Sequence, residues 1–374
     1  MSKIAIRRIG IFKSSIRLKE PFIISLGKLE FAENIIVEIQ DSTGRKGFGE
    51  GSPFRTIHGE TIGTCFSVGS EIAKLLVGKN PCEPEECGRL MDKFIFGNTT
   101  IKSAFDIALH DLASQHADMP LHKFLGAKAI HKLQTDYTIS LGPVEKMCRD
   151  AEKIVNAGFR VVKVKLGESP ALDIERIRCI REMIGMEIPL RIDANQGWTS
   201  SNALEILIAL NQYQIQHCEE PIPRHEFMHL AELKRKSPIP IMADESCFDH
   251  HDALRLVSLK SCNSFNIKLG KSSGINKAMK IMQIAETEQM PIQIGGFLES
   301  RLGFTAAAHV AQCCAELPFI DFDTPLMFSE DFVRGGITYD NNGFIRMPEG
   351  PGLGASFNED YLNSLENCYV NDKS

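Results

Sequence analysis

Short apolar runs alternate with longer amphipathic stretches between Gln134 and about Leu326. Each run has the length of one strand, and the stretch that follows it has the spacing of one helix. Eight parallel strands joined in this way favour a barrel, although an open sheet would give the same alternation. The predicted strands are Thr135–Ile139, Val161–Leu166, Leu190–Ile192, Ile215–Cys218, Ile239–Ala243, Ser264–Ile267, Pro291–Ile294 and Phe319–Phe322.

The first 125 residues carry a different pattern, in which strands come before helices. This order is typical of an α+β unit. We therefore predict an α+β domain over residues 1–125, completed by about 330–374, and a barrel domain over residues 126–329. The elements predicted for the first domain are strands at Ile4–Phe12, Phe22–Leu26 and Ile35–Ile39 and helices at Thr61–Leu76 and Lys102–Gln115.

Charged residues stand at the ends of the apolar runs at nearly constant steps. From Lys165 onward, the gaps between successive groups are 28, 26, 25 and 24 residues, followed by one of 53. One strand, one helix and two short loops take about that length, so these groups mark the carboxyl ends of successive strands. In a βα-barrel this face carries the active site. The groups are Lys163, Lys165, Asp193, Glu219, Asp244, Lys268, Asp321 and Asp323.

Three of these carboxylates, from neighbouring strand ends, predict a magnesium site. Asp193, Glu219 and Asp244 supply the oxygen ligands that Mg²⁺ prefers. Acidic residues at such loops also cap helices, but three in successive units beside lysines favour a metal. Because strand side chains alternate, we assign Glu219 rather than Glu220 as the ligand. Next to Asp244, we expect Glu245 to orient its neighbours.

The lysines predict acid/base chemistry. Lys163 and Lys165 lie two residues apart and share the inward face of one strand, while Lys268 comes from the opposite side of the ring. Two amines that face each other across a metal-bound carboxylate can move a proton from one face of a carbon to the other. We expect Mg²⁺ and the neighbouring ammonium group to lower the pKa of such a lysine. Lys163 is expected to add a second positive contact to an oxygen of that metal-bound substrate carboxylate.

Asp321 and Asp323 place two further carboxylates on one face of the last strand. A cationic partner such as a substrate ammonium group explains them, and a solvated strand end is the alternative. The net charge of −6 gives little support to nucleic-acid binding. No apolar run is long enough for a membrane span, and the start lacks a secretory signal. We therefore expect a cytoplasmic protein.

The eleven cysteines are scattered, without Cys-x-x-Cys pairs, and we expect buried free thiols. Gly47-Phe-Gly-Glu-Gly51 superficially resembles a phosphate-binding loop. Because its spacing does not fit that motif, we expect turn and bulge glycines there.

The motifs together resemble the muconate-lactonizing subgroup of the enolase superfamily. That resemblance rests on Lys163-Val-Lys165, Asp193-Ala-Asn195, Glu219-Glu-Pro221, Ala243-Asp-Glu-Ser246 and Asn266-Ile-Lys268. The pair Asp321 and Asp323 narrows it to the dipeptide epimerases, which hold the substrate's free amino group with such a pair.

This resemblance covers essentially the whole chain and implies a (β/α)7β modified TIM barrel with an α+β capping domain. It also implies one Mg²⁺ per subunit and 1,1-proton transfer at the C-terminal residue of a dipeptide, with Lys165 and Lys268 as the paired acid/base groups. We further expect a homo-oligomer. The substrate contacts that it implies are Thr138, Lys163, Gly296, Phe297, Leu298, Asp321 and Asp323.

One position departs from relatives that act on alanyl-glutamate, which carry an arginine where this chain has Gly27. Without that counter-charge, a buried acidic side chain is unfavourable. Lys28 is adjacent but, in an extended segment, points the other way. We therefore expect small or apolar dipeptides such as Ala-Ala, as in epimerases of the D-Ala-D/L-Ala type.

Several alternatives stay open. An L-Ala-D/L-Glu epimerase would share the whole site. A cycloisomerase or an o-succinylbenzoate synthase would keep the metal and the lysines, but neither needs Asp321 and Asp323, and an N-acylamino acid racemase also lacks a free amine to bind. Mandelate-type dehydration needs a histidine base that the seventh strand lacks. A non-catalytic dipeptide-binding barrel is disfavoured because it would bury lysines without use.

Overall fold

A computed structural model describes residues 4–372, and this part of the chain begins with a long antiparallel hairpin. Its strands are β1 (Ile6–Ile24) and β2 (Gly27–Asp41), joined by a turn at residues 25–26. β3 (Lys46–Gly51) pairs with the other edge of β2.

The prediction of two separate strands at Ile4–Phe12 and Phe22–Leu26 was wrong, because β1 is continuous. Residues 17–21 contain three charged residues and are exposed except for Leu18, so they interrupt the apolar pattern without ending the strand. Pairing with β2 resumes at Phe22 after one irregularity. Leu18 in this segment forms a bridge with Phe328, so the hairpin reaches from its own domain onto the second one.

Helices follow the hairpin sheet. Thr61 caps the first of them by accepting a hydrogen bond from the backbone N–H of Thr64. The second was not predicted, although a proline at its start and two glutamates in its first turn are helix-start signals. The four helices are α1 (Ile62–Leu76), α2 (Pro84–Phe94), α3 (Thr99–His116) and α4 (Leu121–Phe124).

The glycines at 47, 49 and 51 lie within β3 and face α3, so the expectation of turn and bulge glycines was wrong. A Cβ at Gly49 would stand 1.8 Å from the backbone oxygen of Ala104, and one at Gly51 would stand 2.7 Å from that of Thr100. Two strand residues and four helix residues advance by about the same distance, 6–7 Å. Alternate glycines therefore let the helix lie directly on the strand.

The second domain is a (β/α)7β barrel, as predicted. Its eight strands are hydrogen-bonded side by side in sequence order. The strands are β4 (Tyr137–Ile139), β5 (Val162–Lys165), β6 (Leu190–Asp193), β7 (Ile215–Glu219), β8 (Ile241–Ala243), β9 (Ser264–Lys268), β10 (Ile292–Gly295) and β11 (Phe319–Ile320). The helices between them are α5 (Val144–Asn156), α6 (Pro170–Ile184), α7 (Ser200–Leu210), α8 (Phe227–Lys236), α9 (His250–Ser258), α10 (Ile275–Thr287) and α11 (Arg301–Ala311).

The two faces of the barrel strands differ in chemistry. In β5, Val162 and Val164 are fully buried in the main apolar core, which the strands share with the surrounding helices. Lys163 and Lys165 alternate with them and point inward. The interior of the barrel is therefore polar, and the apolar core forms a shell around it.

β4 and β11 close the barrel mostly through side chains. The backbone N–H of Asp136 donates to Ile320 O at 3.3 Å, and that of Phe322 donates to Thr135 Oγ1 at 2.8 Å. Higher in the same seam, the backbone N–H of Thr138 donates to a carboxylate oxygen of Asp323 at 2.5 Å. Side-chain oxygens thus replace backbone acceptors at this seam.

The chain after the barrel returns to the first domain. Its last strand pairs antiparallel with β1. The elements of this segment are β12 (Val333–Gly335), β13 (Thr338–Tyr339), β14 (Ile345–Arg346), β15 (Ala355–Phe357), α12 (Glu359–Ser364) and β16 (Asn367–Asn371). The two-domain division at residues 125 and 330 stays a prediction.

Buried carboxylates of the first domain bond to backbone N–H groups of the barrel domain and the segment after it. Glu50 accepts from the backbone N–H groups of Ser300 and Gly303 at 3.0 and 2.9 Å, at the start of α11. Asp106 on α3 accepts from the N–H of Ile275, the first residue of α10, at 2.6 Å. Asp111 accepts from the backbone N–H of Leu353 at 2.8 Å. Carboxylates suit helix N-termini because the first N–H groups there lack backbone partners.

The cysteine expectation was wrong for one pair, because Cys148 on α5 and Cys179 on α6 form a disulfide. Of the other cysteines, Cys82, Cys313 and Cys368 are half-buried and the remaining six are buried. Within residues 4–372, no helix is both long and apolar enough to cross a membrane.

Candidate active site at the barrel mouth

The strand ends bring together the charged residues that the sequence spacing singled out. Lys163 and Lys165 end β5, and Asp193, Glu219 and Lys268 are the last residues of β6, β7 and β9. Asp244 follows β8, and Asp321 follows β11. In each case the functional residue is supported by a strand and lies before the first residue of the following helix.

Asp193, Glu219 and Asp244 are fully buried and form one acidic cluster. One carboxylate oxygen from each lies within 4.8 Å of the others. Neighbouring groups fix two of these carboxylates. The backbone N–H of Asn195 donates to Asp193 Oδ1 at 2.8 Å, and Asn266 Nδ2 donates to Glu219 Oε1 at 2.7 Å.

Lys165 and Lys268 lie on opposite sides of this cluster. Lys165 Nζ is 2.6 Å from Asp193 Oδ2, and Lys268 Nζ is 2.6 Å from Asp244 Oδ2. Glu219, on the strand between β6 and β8, has an oxygen 3.9 Å from Lys268 Nζ. The two ammonium groups therefore approach the carboxylates from two directions.

An aromatic ring faces each of these two lysines. Lys165 Nζ lies 5.8 Å from the ring centroid of Phe22 on the hairpin, and Lys268 Nζ lies 4.7 Å from that of Phe297. The Phe297 ring in turn meets the ring of His58 edge-on, with centroids 4.4 Å apart. Parts of the first domain thus stand over both lysines at the barrel mouth.

Lys163 connects the acidic cluster with the carboxylates of the last strand. Its Nζ donates to Glu219 Oε2 and to Asp321 Oδ2, both at 2.7 Å, and lies 3.5 Å from Asp193 Oδ2. Burial by itself lowers the pKa of Lys163, but Asp321 and Glu219 raise it by more. Lys163 is therefore a fixed positive charge.

The pKa of Lys268 also differs from the sequence expectation. Burial lowers this pKa, but the carboxylates of Asp244 and Glu219 raise it, and the net shift is upward. Positive charge bound among these carboxylates would offset their effect. A lowered lysine pKa therefore requires the cation that the acidic cluster can hold.

Asp321 and Asp323 lie together at the seam between β11 and β4. Asp323 is fixed by the backbone N–H of Thr138. One oxygen of each lies within 4.8 Å of the other and of a third carboxylate, that of Asp136. Burial and the neighbouring Asp321 raise the pKa of Asp323 to about 7.

The two glutamates next to the predicted ligands occupy different places. Glu220 is turned away from the cluster at φ 34° and accepts from the backbone N–H groups of Asp244 and Ser246 at 2.7 and 3.1 Å. It therefore holds the loop after β8. Glu245 accepts from Asn195 Nδ2 at 3.3 Å and is buried beside the cluster.

The other expected substrate contacts lie in the loop after β10. Gly296 leaves no room for a side chain, because a Cβ would stand 2.6 Å from the ring of Phe304. Leu298 is buried in a small apolar cluster with Ile16 and Leu18 of the hairpin. Its side chain therefore joins the two domains, while Phe297 faces the lysine.

Sequence reasoning missed two charged residues at this site. Lys271 is buried in the turn after β9, where its Nζ lies 2.5 Å from Asp244 Oδ1 and donates to Asn266 O at 2.9 Å. Asp136 lies just before β4, at the opposite end of the strand from the carboxyl ends. Asp136 lies two residues before Thr138, so the two share the inward face of the strand, and this spacing could have indicated its place in the site.

The tip of the hairpin reaches the mouth of the barrel. Ser25 Oγ donates to the backbone oxygens of Ala194 and Asn195 at 3.0 and 2.8 Å. Gly27 has φ 145°, a region that other residues rarely adopt, so an arginine at this position would strain the backbone. Lys28 is exposed and pairs with Glu30 at 2.7 Å.

The acidic cluster fits a hard divalent cation. It offers three carboxylates, buried and close enough to share one ion, which is the donor type that Mg²⁺ binds. Burial raises the pKa of Glu219, but Lys163 and Lys268 lower it by more, and the net shift is well below the ordinary value. Glu219 is therefore ionised, as a ligand must be.

Comparison with known proteins agrees with this geometry. Residues 6–126 match the mandelate racemase/muconate lactonizing enzyme N-terminal domain, and residues 146–361 match the enolase C-terminal domain-like family. The chain is 52% identical over 366 residues to a D-Ala-D/L-Ala epimerase of Cytophaga hutchinsonii, covering 98% of this chain and 100% of that protein.

Solved structures show the same relationship. The Cytophaga hutchinsonii dipeptide epimerase, complexed with Mg and D-Ala-L-Val, is 52% identical with a TM-score of 0.97, covering 98% of this chain and 100% of that one. A dipeptide epimerase from Enterococcus faecalis V583, complexed with Mg and L-Leu-L-Tyr, is 37% identical with a TM-score of 0.91, covering 94% and 99%. The protein described here therefore belongs to the mandelate racemase/muconate lactonizing enzyme family of the enolase superfamily.

Proposed function

We propose that the protein is a Mg²⁺-dependent dipeptide epimerase that inverts the α-carbon of the C-terminal residue. The observation that carries this proposal is the placement of Lys165 and Lys268 on opposite sides of one buried acidic cluster. A proton removed by one amine and returned by the other arrives on the opposite face of the carbon, which gives inversion.

Asp193, Glu219 and Asp244 would hold the ion. When bound, Mg²⁺ supplies the positive charge that stabilises an enediolate. Lys163 adds a fixed positive charge beside the same oxygens, because its ammonium group already bridges two carboxylates.

Lys165 and Lys268 serve as the acid/base pair. The Nζ of each donates a hydrogen bond to a carboxylate of the cluster. For Lys268, whose pKa is raised by Asp244 and Glu219, a cation in the cluster would weaken that interaction and so favour the neutral amine that acts as base. The rings of Phe22 and Phe297 lie over the two amines.

Asp321 and Asp323 are proposed to bind the free amino group of the dipeptide. Thr138 fixes Asp323, and Gly296 lets the backbone before Phe297 lie against the ring of Phe304, which forms one wall of the proposed substrate site. The buried contact between Leu298 and the hairpin supports this wall of the site. The substrate enters with its carboxylate towards the metal ligands and its ammonium group towards the seam.

The proposed substrates are dipeptides with a small or apolar C-terminal residue, such as Ala-Ala. Gly27 supplies no positive charge, and Lys28 is paired with Glu30 outside the mouth. A C-terminal glutamate would therefore lack a counter-charge. The epimerase relative at 52% identity, named for D-Ala-D/L-Ala, supports this choice.

Incubation of dipeptide mixtures with the protein and Mg²⁺ in D₂O, followed by mass spectrometry, tests the proposal. We expect one deuteron to enter Ala-Ala and similar dipeptides, with much slower exchange in Ala-Glu. The absence of exchange in every dipeptide would overturn the epimerase assignment. Faster exchange in Ala-Glu would overturn only the substrate preference.

The role of the aspartate pair is tested separately with Asp321→Asn. Because a hydrogen bond to a charged group contributes about 1.5–3 kcal/mol, we expect the KM of Ala-Ala to rise by at least tenfold. An unchanged KM would remove Asp321 from the ammonium site. We also propose a cytoplasmic location and a homo-oligomer without nucleic-acid partners, and size-exclusion chromatography with light scattering tests the assembly.

A further inference from the structure

A third carboxylate lies behind the pair Asp321 and Asp323, and the proposed mechanism does not use it. Asp136 is fully buried just before β4. One of its oxygens lies within 4.8 Å of an oxygen from each of the other two aspartates. Three carboxylates therefore converge on one point of the seam.

Arg191 fixes Asp136 from the side of the barrel interior. Arg191 Nη1 donates to Asp136 Oδ2 at 2.7 Å and to the backbone oxygen of Ile320 at 3.0 Å. The second oxygen, Asp136 Oδ1, is buried and has no hydrogen-bond partner within residues 4–372. A buried carboxylate oxygen without a donor is unfavourable, so this arrangement is suited to an incoming donor.

The charges around the cluster point to the same conclusion. Lys163 contacts only Asp321 of the three aspartates, and it is shared with Glu219. Burial and the charge of Asp321 raise the pKa of Asp136 well above its usual range, although Arg191 opposes that shift. A further cation at the convergence point would relieve this repulsion.

The size of the cluster matches a primary ammonium group. Because the three oxygens lie within 4.8 Å of one another, a nitrogen between them would lie at most about 2.8 Å from each, which is within hydrogen-bond distance. A primary ammonium group carries three N–H donors, one for each carboxylate. An N-methylated or N-terminal prolyl residue carries two donors and would leave one carboxylate without a partner.

We propose that Asp136 completes a three-carboxylate receptor that selects dipeptides with a primary amino group over those with a secondary amine. This inference rests on the proposed epimerase function and adds a specificity-determining residue to it. Asp321 and Asp323 supply two acceptors, and Asp136, held by Arg191, supplies the third.

A matched set of substrates tests the receptor on the unaltered protein. Ala-Ala and N-methyl-Ala-Ala carry the same charge but differ by one N–H donor, and propanoyl-Ala lacks the amine altogether. We expect kcat/KM for α-proton exchange to fall about 10- to 100-fold from Ala-Ala to the N-methyl compound. Equal values for these two dipeptides would overturn the proposal. If no compound exchanges at all, the epimerase function itself has failed.

The variant Asp136→Asn tests which residue makes the distinction. Its amide oxygen can still accept from Arg191, so the anchoring contact is kept. We expect kcat/KM for Ala-Ala to fall about tenfold, mainly through KM, and the preference for Ala-Ala over N-methyl-Ala-Ala to shrink below threefold. Unchanged discrimination, or an equal loss on all three compounds, would overturn the role of Asp136. Asp360→Asn, on the surface, serves as the control.

Discussion

Buried carboxylates occur in two regions of this protein and have different partners in each. At the domain interface, Glu50 and Asp106 accept hydrogen bonds from backbone N–H groups at the starts of α11 and α10. At the barrel mouth, Asp193 and Asp244 face the ammonium groups of Lys165 and Lys268. The interface carboxylates bond to backbone dipoles, whereas the mouth carboxylates bond to the charged ends of lysine side chains.

This difference explains why the same residue type is structural in one place and chemically active in the other. A backbone N–H group cannot change its charge or leave its position, so the interface carboxylates hold one geometry. A lysine can give up its proton or turn to another partner when a cation and a substrate arrive. Changes at the mouth should therefore affect catalysis, and changes at the interface should affect stability.

The largest expected effect is on catalysis. Lys268→Met removes one of the two amines, and we expect epimerisation of Ala-Ala to fall about 10³-fold. With Mg²⁺ bound, the free energy of unfolding should change little, because the cation compensates Asp244 and Glu219 when the Lys268 charge is removed. Polarimetry and urea unfolding measure the two quantities.

Lys236→Met, on the exposed face of α8, is the matched control for that variant. Full epimerisation by Lys268→Met would show that the mouth lysines do not act as an acid/base pair. If Lys268→Met lost much of its free energy of unfolding together with its activity, the mouth carboxylates and their lysines would have a structural role, like the carboxylates of the interface.

A variant at the interface should show the opposite result, a loss of stability with little change in catalysis. Glu50→Ala leaves the N–H groups of Ser300 and Gly303 without their acceptor and removes one of the two acceptors of Asn34 Nδ2. We expect a loss of about 3 kcal/mol in the free energy of unfolding, while kcat per folded molecule stays within a factor of about three. Urea unfolding and the D₂O exchange assay test this, with the exposed Glu33→Ala as control. A destabilisation below about 0.5 kcal/mol would contradict the structural role.

Stabilisation by Mg²⁺ should depend on the carboxylates of the mouth and not on buried carboxylates elsewhere. At a concentration about a hundred times its Kd, an ion that binds only the folded state adds about 2.7 kcal/mol to the free energy of unfolding. We expect this increment in the wild-type protein and its loss in Glu219→Gln, measured by urea unfolding with Mg²⁺ or with EDTA. Glu38→Gln, a buried carboxylate outside the mouth, should keep the increment. An increment that survives in Glu219→Gln would place the ion elsewhere.

Much of the mouth followed from the sequence because the barrel repeats one unit. A strand end recurs every 24 to 28 residues, so the numbers alone placed Asp193, Glu219, Asp244 and Lys268 on one rim. The structure brings them together, whereas their roles as ligands and bases stay predictions. Because the spacing is regular, positions along the chain were enough to predict which side chains share this rim.

Other features had no such repeat to reveal them. Asp136 precedes its strand and Lys271 follows its own, so neither fits the spacing of strand ends. The unbroken β1 was missed because a polar segment near Lys19 lies outside the first domain's core, where apolar alternation is not required. The interface contacts of Glu50 join residues 250 apart in sequence, which no local pattern records.

The smallest expected effect is a pH dependence of stability that arises from an interface carboxylate. Asp111 accepts from the backbone N–H groups of Phe48 and Leu353, yet burial raises its pKa from 3.8 to about 6, because these groups and Gln115 offset only part of the desolvation. The folded state then binds a proton more tightly than the unfolded state between those two values. The contribution of Asp111 to stability is therefore largest at low pH and declines as pH rises through about 6.

Asp111→Asn removes that titration. We expect the free energy of unfolding of the wild type, minus that of the variant, to fall by about 2 kcal/mol between pH 4.5 and 6.5. Exposed Asp360→Asn should show no such slope, and the Mg²⁺ increment should persist in both variants. A difference that stays constant across this range, or rises, would mean that the backbone N–H groups fully offset the desolvation of Asp111. The interface carboxylates would then be insensitive to pH, and only the mouth would respond to protons.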